Sequence, residues 1–225
     1  MTSQALAALL PSLVIVPLTL LPIINPLAGA PVFMATAGTE RANVKRLAWQ
    51  VTLNCWFILV GSMLVGTYVL DFFGISLPIV RIAGGLLVAA AAWRMLMSHD
   101  DDEVRSAVAR QQTSAMSEAE IVRRSFFPLT FPLTTGPGTI AASIALGAKL
   151  PTTPALYLAG AVVAVAGATL TVAVIYLVYR NAVRLLDRLG EIGMLVLMRI
   201  MAFVLLCIGI EILWTGWAEL NAIGR

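Results

Sequence analysis

Six long apolar runs, interrupted by very few charges, constrain this chain more than any other feature. They are Ala5 to Ala37, Leu47 to Leu70, Phe72 to Met97, Ser125 to Ala148, Ala155 to Tyr179 and Ile192 to Trp217. A bilayer core about 30 Å thick is crossed by about 20 residues of α-helix, and every run is long enough. A continuous apolar run satisfies its own backbone hydrogen bonds only as helix, whereas the strands of a membrane barrel alternate polar and apolar residues. A soluble fold is excluded by composition: 60% of residues are hydrophobic and 12% charged, against about 45–50% and about 25% in ordinary soluble domains. The expected fold class is an all-α integral membrane protein with six transmembrane helices.

Charge gives the expected orientation. With the six runs alternating, one side collects Arg41, Lys45, Arg46, Arg94, Arg105, Arg110, Arg123, Arg124, Arg180, Arg184 and Arg188, and the other only Lys149 and Arg225. Basic loops stay in the cytoplasm, so both termini are expected in the periplasm. Trp49 and Trp93 then fall near the inner interface, and Trp214 and Trp217 near the outer one. The opening Met1-Thr-Ser-Gln places no Lys or Arg before the first run, so this run is expected to stay in the mature protein rather than leave as a secretory signal. The net charge of +3 reads as topology, because the basic residues form no clustered stripe for nucleic acid.

One polar stretch divides the chain, giving residues 1–97 as a first three-span unit, 98–122 as a cytoplasmic linker and 123–225 as a second unit. The linker ends in Ser117-Glu-Ala-Glu120, a capping-box spacing that starts a helix. His99 beside Asp100, Asp101 and Asp102 offers no defined metal-ligand set and reads as solvated linker, so no metal or other cofactor is expected. Cys55 and Cys207 stand far apart in apolar runs and read as small buried hydrophobes.

The two units repeat one another. Pro22-Ile-Ile-Asn-Pro26-Leu-Ala-Gly-Ala-Pro31 and Pro128-Leu-Thr-Phe-Pro132-Leu-Thr-Thr-Gly-Pro137 both read PxxxPLxxxP, at a constant offset of 106 residues. Three spans per unit makes the second enter the membrane from the opposite side, so the units are expected to be inverted repeats, an architecture of many secondary transporters. Three prolines so closely spaced cannot occupy one straight helix, and spans one and four are expected to be broken. By residue count both breaks fall nearer the cytoplasmic end. A broken helix frees backbone groups that hydrocarbon cannot satisfy, so the breaks belong in the protein interior or on a wet cavity. Pro31 and Pro137 suit the first position of a following half-helix, and Gly136 and Gly138 let backbone approach a ligand.

At Asn25-Pro26-Leu-Ala-Gly29-Ala-Pro31-Val-Phe33, Phe131-Pro132-Leu-Thr-Thr-Gly136-Pro137-Gly138-Thr139-Ile140 and Arg81-Ile-Ala-Gly-Gly85, the chain resembles the MarC family over nearly its whole length. The resemblance implies a six-span protein of the bacterial inner membrane, similar to transporters of small neutral amino acids such as glycine and alanine. The family's first motif usually reads Asn-Pro-x-Gly followed by Asn. Here Ala28 and Gly29 stand there, which leaves Asn25 as that motif's hydrogen-bonding side chain.

The expected function is secondary transport of a small zwitterion. Half-helix N-termini suit a carboxylate, Thr130, Thr134, Thr135 and Thr139 offer hydroxyls, and Asn25 offers a donor and an acceptor. The expected substrate site is Asn25, Pro26, Gly29, Pro31, Thr134, Thr135, Gly136, Pro137, Gly138 and Thr139. The alternative is a structural or assembly factor without transport. A thiol-relay enzyme needs a cysteine near each break, and the sequence places none there; drug efflux needs a larger aromatic pocket. The only His lies in the linker and no nucleophile has a neighbouring base. No nucleotide-binding loop is present. Of the carboxylates only Glu211 lies well within a span, so a coupling cation is better served by freed carbonyls and Thr hydroxyls. The intramembrane charges are Arg81, Arg199 and Glu211. Arg81 and Glu211 lie at similar depth; they either snorkel separately to the interface, the preferred reading, or pair, and both relieve the roughly 2.5–3.5 kcal/mol cost of an Arg in a span; Arg199 has no acidic counterpart. Gly160, Ala164 and Ala168 give span five a smooth face that favours close helix contact inside the protein. Oligomeric state is open.

Overall fold

Every regular element among the described residues is helical, as the apolar runs require. The structure, a computed structural model, describes residues 3–38, 40–97, 117–151 and 153–223. Helix α1 (Ser3–Ile24) meets α2 (Pro26–Ala37) at a bend of 55°. Helices α3 (Arg41–Phe72) and α4 (Leu77–Met97) follow. After residue 116 come α5 (Glu118–Arg124), an irregular segment, Ser125–Thr134, and then α6 (Pro137–Gly147), α7 (Pro154–Arg180) and α8 (Ala182–Ile223). Four helices, α3, α4, α7 and α8, are long and apolar enough to cross a membrane singly, and the bent α1–α2 pair makes a fifth span if taken together. The fourth expected span is instead divided between the irregular segment and α6, which is shorter than a bilayer. Gly190 takes a left-handed φ of 64° inside α8 and separates its charged first turns from the apolar length beginning at Ile192.

Local sequence sets the starts. Ser117 Oγ accepts from Glu120 N at 3.2 Å while Glu120 Oε2 accepts from Ser117 N at 3.3 Å, the capping box its spacing predicts. Residues 98–116, including His99 and its aspartates, lie outside the described residues.

The helices pack in a reciprocal pattern. Helix α1 lies chiefly against α7 and α6 chiefly against α3, while α3 packs on α7 and α4 on α8; α4 also touches α6 as α8 touches α2. The closest pairing, α4 with α8, runs through glycines. A Cβ on Gly85 would lie 2.5 Å from Leu213 N, and one on Gly209 would lie 2.5 Å from Ala89 N. Near one end of this antiparallel pair Arg81 of α4 forms an ion pair with Glu219 of α8, and toward the other Arg199 of α8 donates to the Leu96 carbonyl of α4. Arg81 thus pairs with Glu219 rather than with Glu211. Glu211 stands two residues from Gly209, about 200° round the helix at 3.6 residues per turn, and faces away from Arg81's helix, whereas Glu219 comes two turns later on the facing side.

Ala164 and Ala168 of α7 are buried, and Val16 of α1 fills the place where a Gly167 side chain would be. The small-residue face of α7 therefore lies inside the protein. Trp49, Trp93, Trp214 and Trp217 are all on the outer surface.

Candidate functional site

The first break is one residue wide. Pro26 has no N–H and crowds the residue before it out of helical geometry. That residue is Asn25, which adopts φ 47°, ψ 61°, a left-handed conformation that Asn tolerates because its short amide bonds locally. Asn25 Oδ1 accepts from Ala28 N at 3.4 Å and caps α2. The other half of the amide is different: Asn25 is 93% buried, and Nδ2 has no hydrogen-bond partner. A buried, unpaired donor costs about 1–3 kcal/mol, so the first break holds one unmet demand for an acceptor.

Helix α2 starts at Pro26 and contains Pro31 in its interior. The expectation that Pro31 begins a half-helix is therefore corrected: Pro26, already paired with a capping Asn, takes the first position. Pro31 removes the N–H that would have met the Leu27 carbonyl one turn back, so an acceptor is also freed close to Asn25.

The second break runs through the irregular segment Ser125–Thr134, 10 residues long. Phe127 (φ −123°, ψ 120°) and Phe131 (φ −119°, ψ 127°) are extended, each preceding a proline as steric crowding predicts. Pro128 and Pro132 delete two main-chain donors, and threonine hydroxyls supply others. Thr130 Oγ1 donates to Ser125 O at 2.7 Å, Thr134 Oγ1 to Leu129 O at 2.6 Å and Thr135 Oγ1 to Thr130 O at 3.0 Å. All three hydroxyls reach a carbonyl five residues back, and all three residues are buried. Their protons are committed, but each oxygen keeps lone pairs. Gly136 (φ −72°, ψ 175°) then leads into α6, with Pro137 at its first position as expected.

Tyr179, near the end of α7, joins the two breaks. It is fully buried, stacks on Phe33 of α2 with ring centroids 4.5 Å apart, and its hydroxyl lies 3.0 Å from Thr134 Oγ1. Since Thr134 gives its proton to Leu129 O, the phenol is the donor in that contact. A Cβ on Gly29 would sit 2.8 Å from the Tyr179 oxygen, so this glycine makes room for the phenol. Gly29 and Phe33 follow Asn25 at intervals of one turn, on one face of α2.

The expected site residues divide accordingly. Asn25, Pro26 and Gly29 are buried at the first break, Thr134 and Thr135 at the second, and Gly29 meets Thr134 through Tyr179. Gly136 turns the chain over the Pro132 carbonyl, which a Cβ would approach to 2.8 Å. Pro137 is exposed and Thr139 buried. Gly138 is explained differently from the expectation: a Cβ there would lie 2.2 Å from Val88 Cγ2 and 3.5 Å from Gly84 O. Helix α4 occupies the space assigned to a ligand. Val88 stands near the middle of α4, so the second break lies at mid-length of that helix rather than toward one end. Arg81 and Arg199 bridge α4 and α8, and Glu211 is exposed on α8.

Cysteine placement is a second correction. Cys55 is buried against Thr130 and Thr135 of the second break, so one thiol does lie at a break, while Cys207 is exposed on α8. They remain on different surfaces. Sequence reasoning missed Tyr179 and Cys55 because both come from other helices, and nothing in their neighbours along the chain marks them.

Comparison with known proteins covers the stretch that forms these breaks. The inner membrane protein MarC of Salmonella typhimurium is 29% identical over 218 residues, covering 89% of this chain and 91% of the relative. That of Citrobacter koseri is 30% identical over 209 residues, and that of Escherichia coli O1:K1 / APEC 30% over 205, with the same shares of each chain. No solved structure matches. The profile described as MarC family integral membrane protein matches residues 10–220, a stretch containing both proline motifs and Tyr179, and the chain belongs to that family.

Proposed function

We propose that the protein is a secondary transporter of small neutral amino acids, which binds its substrate between the two breaks. The observation that carries this reading is the unpaired Asn25 Nδ2, a buried donor at the N-terminus of α2. A carboxylate satisfies that donor and gains from the helix dipole. The second break is complementary: its hydroxyl protons are committed and its oxygens keep lone pairs, Thr134's beside the one that accepts from Tyr179, which suits an ammonium group or a coupling cation. The close fit of Tyr179 against Gly29 and Thr134 supports a substrate with a small side chain.

The reciprocal packing supports a finer architecture: six spans as two inverted three-helix repeats. Exchanging the units converts the α1–α7 contact into that of α5 and the irregular segment with α3, converts the α2–α8 contact into the α6–α4 contact, and maps the α3–α7 and α4–α8 contacts onto themselves. In this reading the α1–α2 pair is span one, and the irregular segment with α6 is span four. The excess of Lys and Arg on one side orients both termini to the periplasm, which a reporter fused after Arg225 checks.

The test is uptake of labelled alanine and glycine into proteoliposomes by the wild-type chain and by Asn25→Gly. Glycine keeps the left-handed conformation, and as a cap residue it costs only a few tenths of a kcal/mol (about 0.3). The expected result is near-normal thermal stability with uptake lost. Wild-type uptake by the variant removes the amide from the site, and failure of the wild-type chain to move or bind either amino acid overturns the reading.

A further inference from the structure

We propose that the face of α8 carrying Glu211 and Trp214 is where a second copy of this chain docks, with each copy's Glu211 carboxylate accepting from the other's Trp214 indole N–H. The argument begins with depth. Gly85 approaches the α8 backbone at Gly209 and Leu213, so Glu211, between them, is level with Gly85. Gly85 is the ninth of the 21 residues of α4, a helix whose length of about 31 Å matches a bilayer core. Glu211 therefore lies only about 3 Å along the axis from the middle of α4.

It also faces outward. Gly209 and Gly216 turn toward α4, while Phe203, Cys207, Ile210, Glu211 and Trp214 form an exposed stripe on the other side. Among the described residues neither the Glu211 carboxylate nor the Trp214 indole has a hydrogen-bonded or ionic partner. A carboxylate turned to lipid at this depth costs about 2.5–3.5 kcal/mol on insertion scales, and intramembrane acids accordingly face protein or water. Lipid tails offer Glu211 no donor.

The stripe itself does. An indole N–H is donor only and a carboxylate acceptor only, and here they stand three residues apart on one face, about 4.5 Å along the axis. A two-fold axis along the membrane normal keeps every residue at its own depth and opposes the two stripes. Each Glu211 then stands about 4.5 Å in depth from the neighbouring chain's Trp214, a step that the indole spans by leaning toward the N-terminal end of its helix; the contact occurs twice, with Phe203 packing below. Such a self-complementary surface is what an isologous dimer contact uses. This proposal is independent of what the breaks bind.

Cys207, one turn from Glu211 on the same stripe, is a built-in reporter. Copper–phenanthroline oxidation of the full-length chain in native membranes is expected to give a disulfide-linked dimer of twice 24.0 kDa, absent in Cys207→Ser. In a reversible association assay in lipid vesicles, Glu211→Leu and Trp214→Phe are each expected to weaken dimerisation about tenfold, since each removes two interhelical hydrogen bonds per dimer. Glu211→Gln, which keeps an acceptor, retains it. The proposal is overturned if neither Cys207 nor Phe203→Cys cross-links two copies, if the cross-linked species contains a different protein, or if Glu211→Leu and Trp214→Phe both dimerise like wild type.

Discussion

The two proline motifs share one spacing and break their helices differently, and the residue in front of each proline accounts for the difference. At offset 106, Asn25 corresponds to Phe131. Asn25 turns left-handed and bends the chain at a single point, so α2 resumes at once. An aromatic residue does not adopt that conformation readily; Phe131 becomes extended, and the helix restarts only at Pro137. Ala30 and Gly136 correspond in the same way. Ala30 stays within α2 despite Pro31, whereas Gly136 is extended and ends the break. The longer break exposes more backbone, and its threonines repair it from within. The shorter one leaves a single amide proton unmatched. The narrow break thus keeps an unmet donor, whereas the wide one has committed its hydroxyl protons to its own backbone and keeps only acceptors.

The largest expected effect comes from forcing the first break to resemble the second. Asn25→Phe places a bulky residue at φ 47°, which costs about 1–2 kcal/mol, and overfills a buried site for about 1–3 kcal/mol more. A loss of folded protein is expected, read as a large fall in detergent melting temperature. If Asn25→Phe melts like wild type, the left-handed turn does not define this break.

Next in size is damage to the self-repair of the second. Thr134→Val keeps the shape and removes the proton that Leu129 O receives. A carbonyl left unpaired costs about 1–3 kcal/mol, so the variant should melt well below wild type, whereas Asn25→Gly should not. Equal losses in the two variants would erase the distinction between a structural and a ligand-facing break.

Gly138→Val comes third and concerns what the sequence could convey. The six apolar runs, the repeat, the capping box and the positions of the two breaks follow from local rules, because proline acts on its own neighbours and an apolar run needs lipid or protein around it. Partners across helices do not follow. Gly138 reads as a ligand-approach glycine in the motif, yet its neighbour is Val88, fifty residues earlier in the chain. Arg81 similarly finds Glu219 rather than Glu211, because helix phase, not depth alone, selects the partner. Gly138→Val should destabilise by about 1–3 kcal/mol through overpacking, and Val88→Ala in the same chain should recover part of the loss. Strictly additive losses would show that the two residues are not in contact.

The smallest expected effect tests the link between the breaks. Tyr179→Phe keeps the stack on Phe33 and the volume beside Gly29, and removes only the phenol donor to Thr134. Interhelical hydrogen bonds in membrane proteins average about 0.6 kcal/mol, so the melting temperature should barely move. Thr134 still serves Leu129 O, and the second break stays closed on itself. What changes is the joint between the two breaks. If that joint transmits substrate binding at Asn25 to the second break, Tyr179→Phe should leave alanine affinity near wild type and lower the rate of uptake. Unchanged binding with unchanged uptake would mean that the two breaks act separately and that the phenol only fills space.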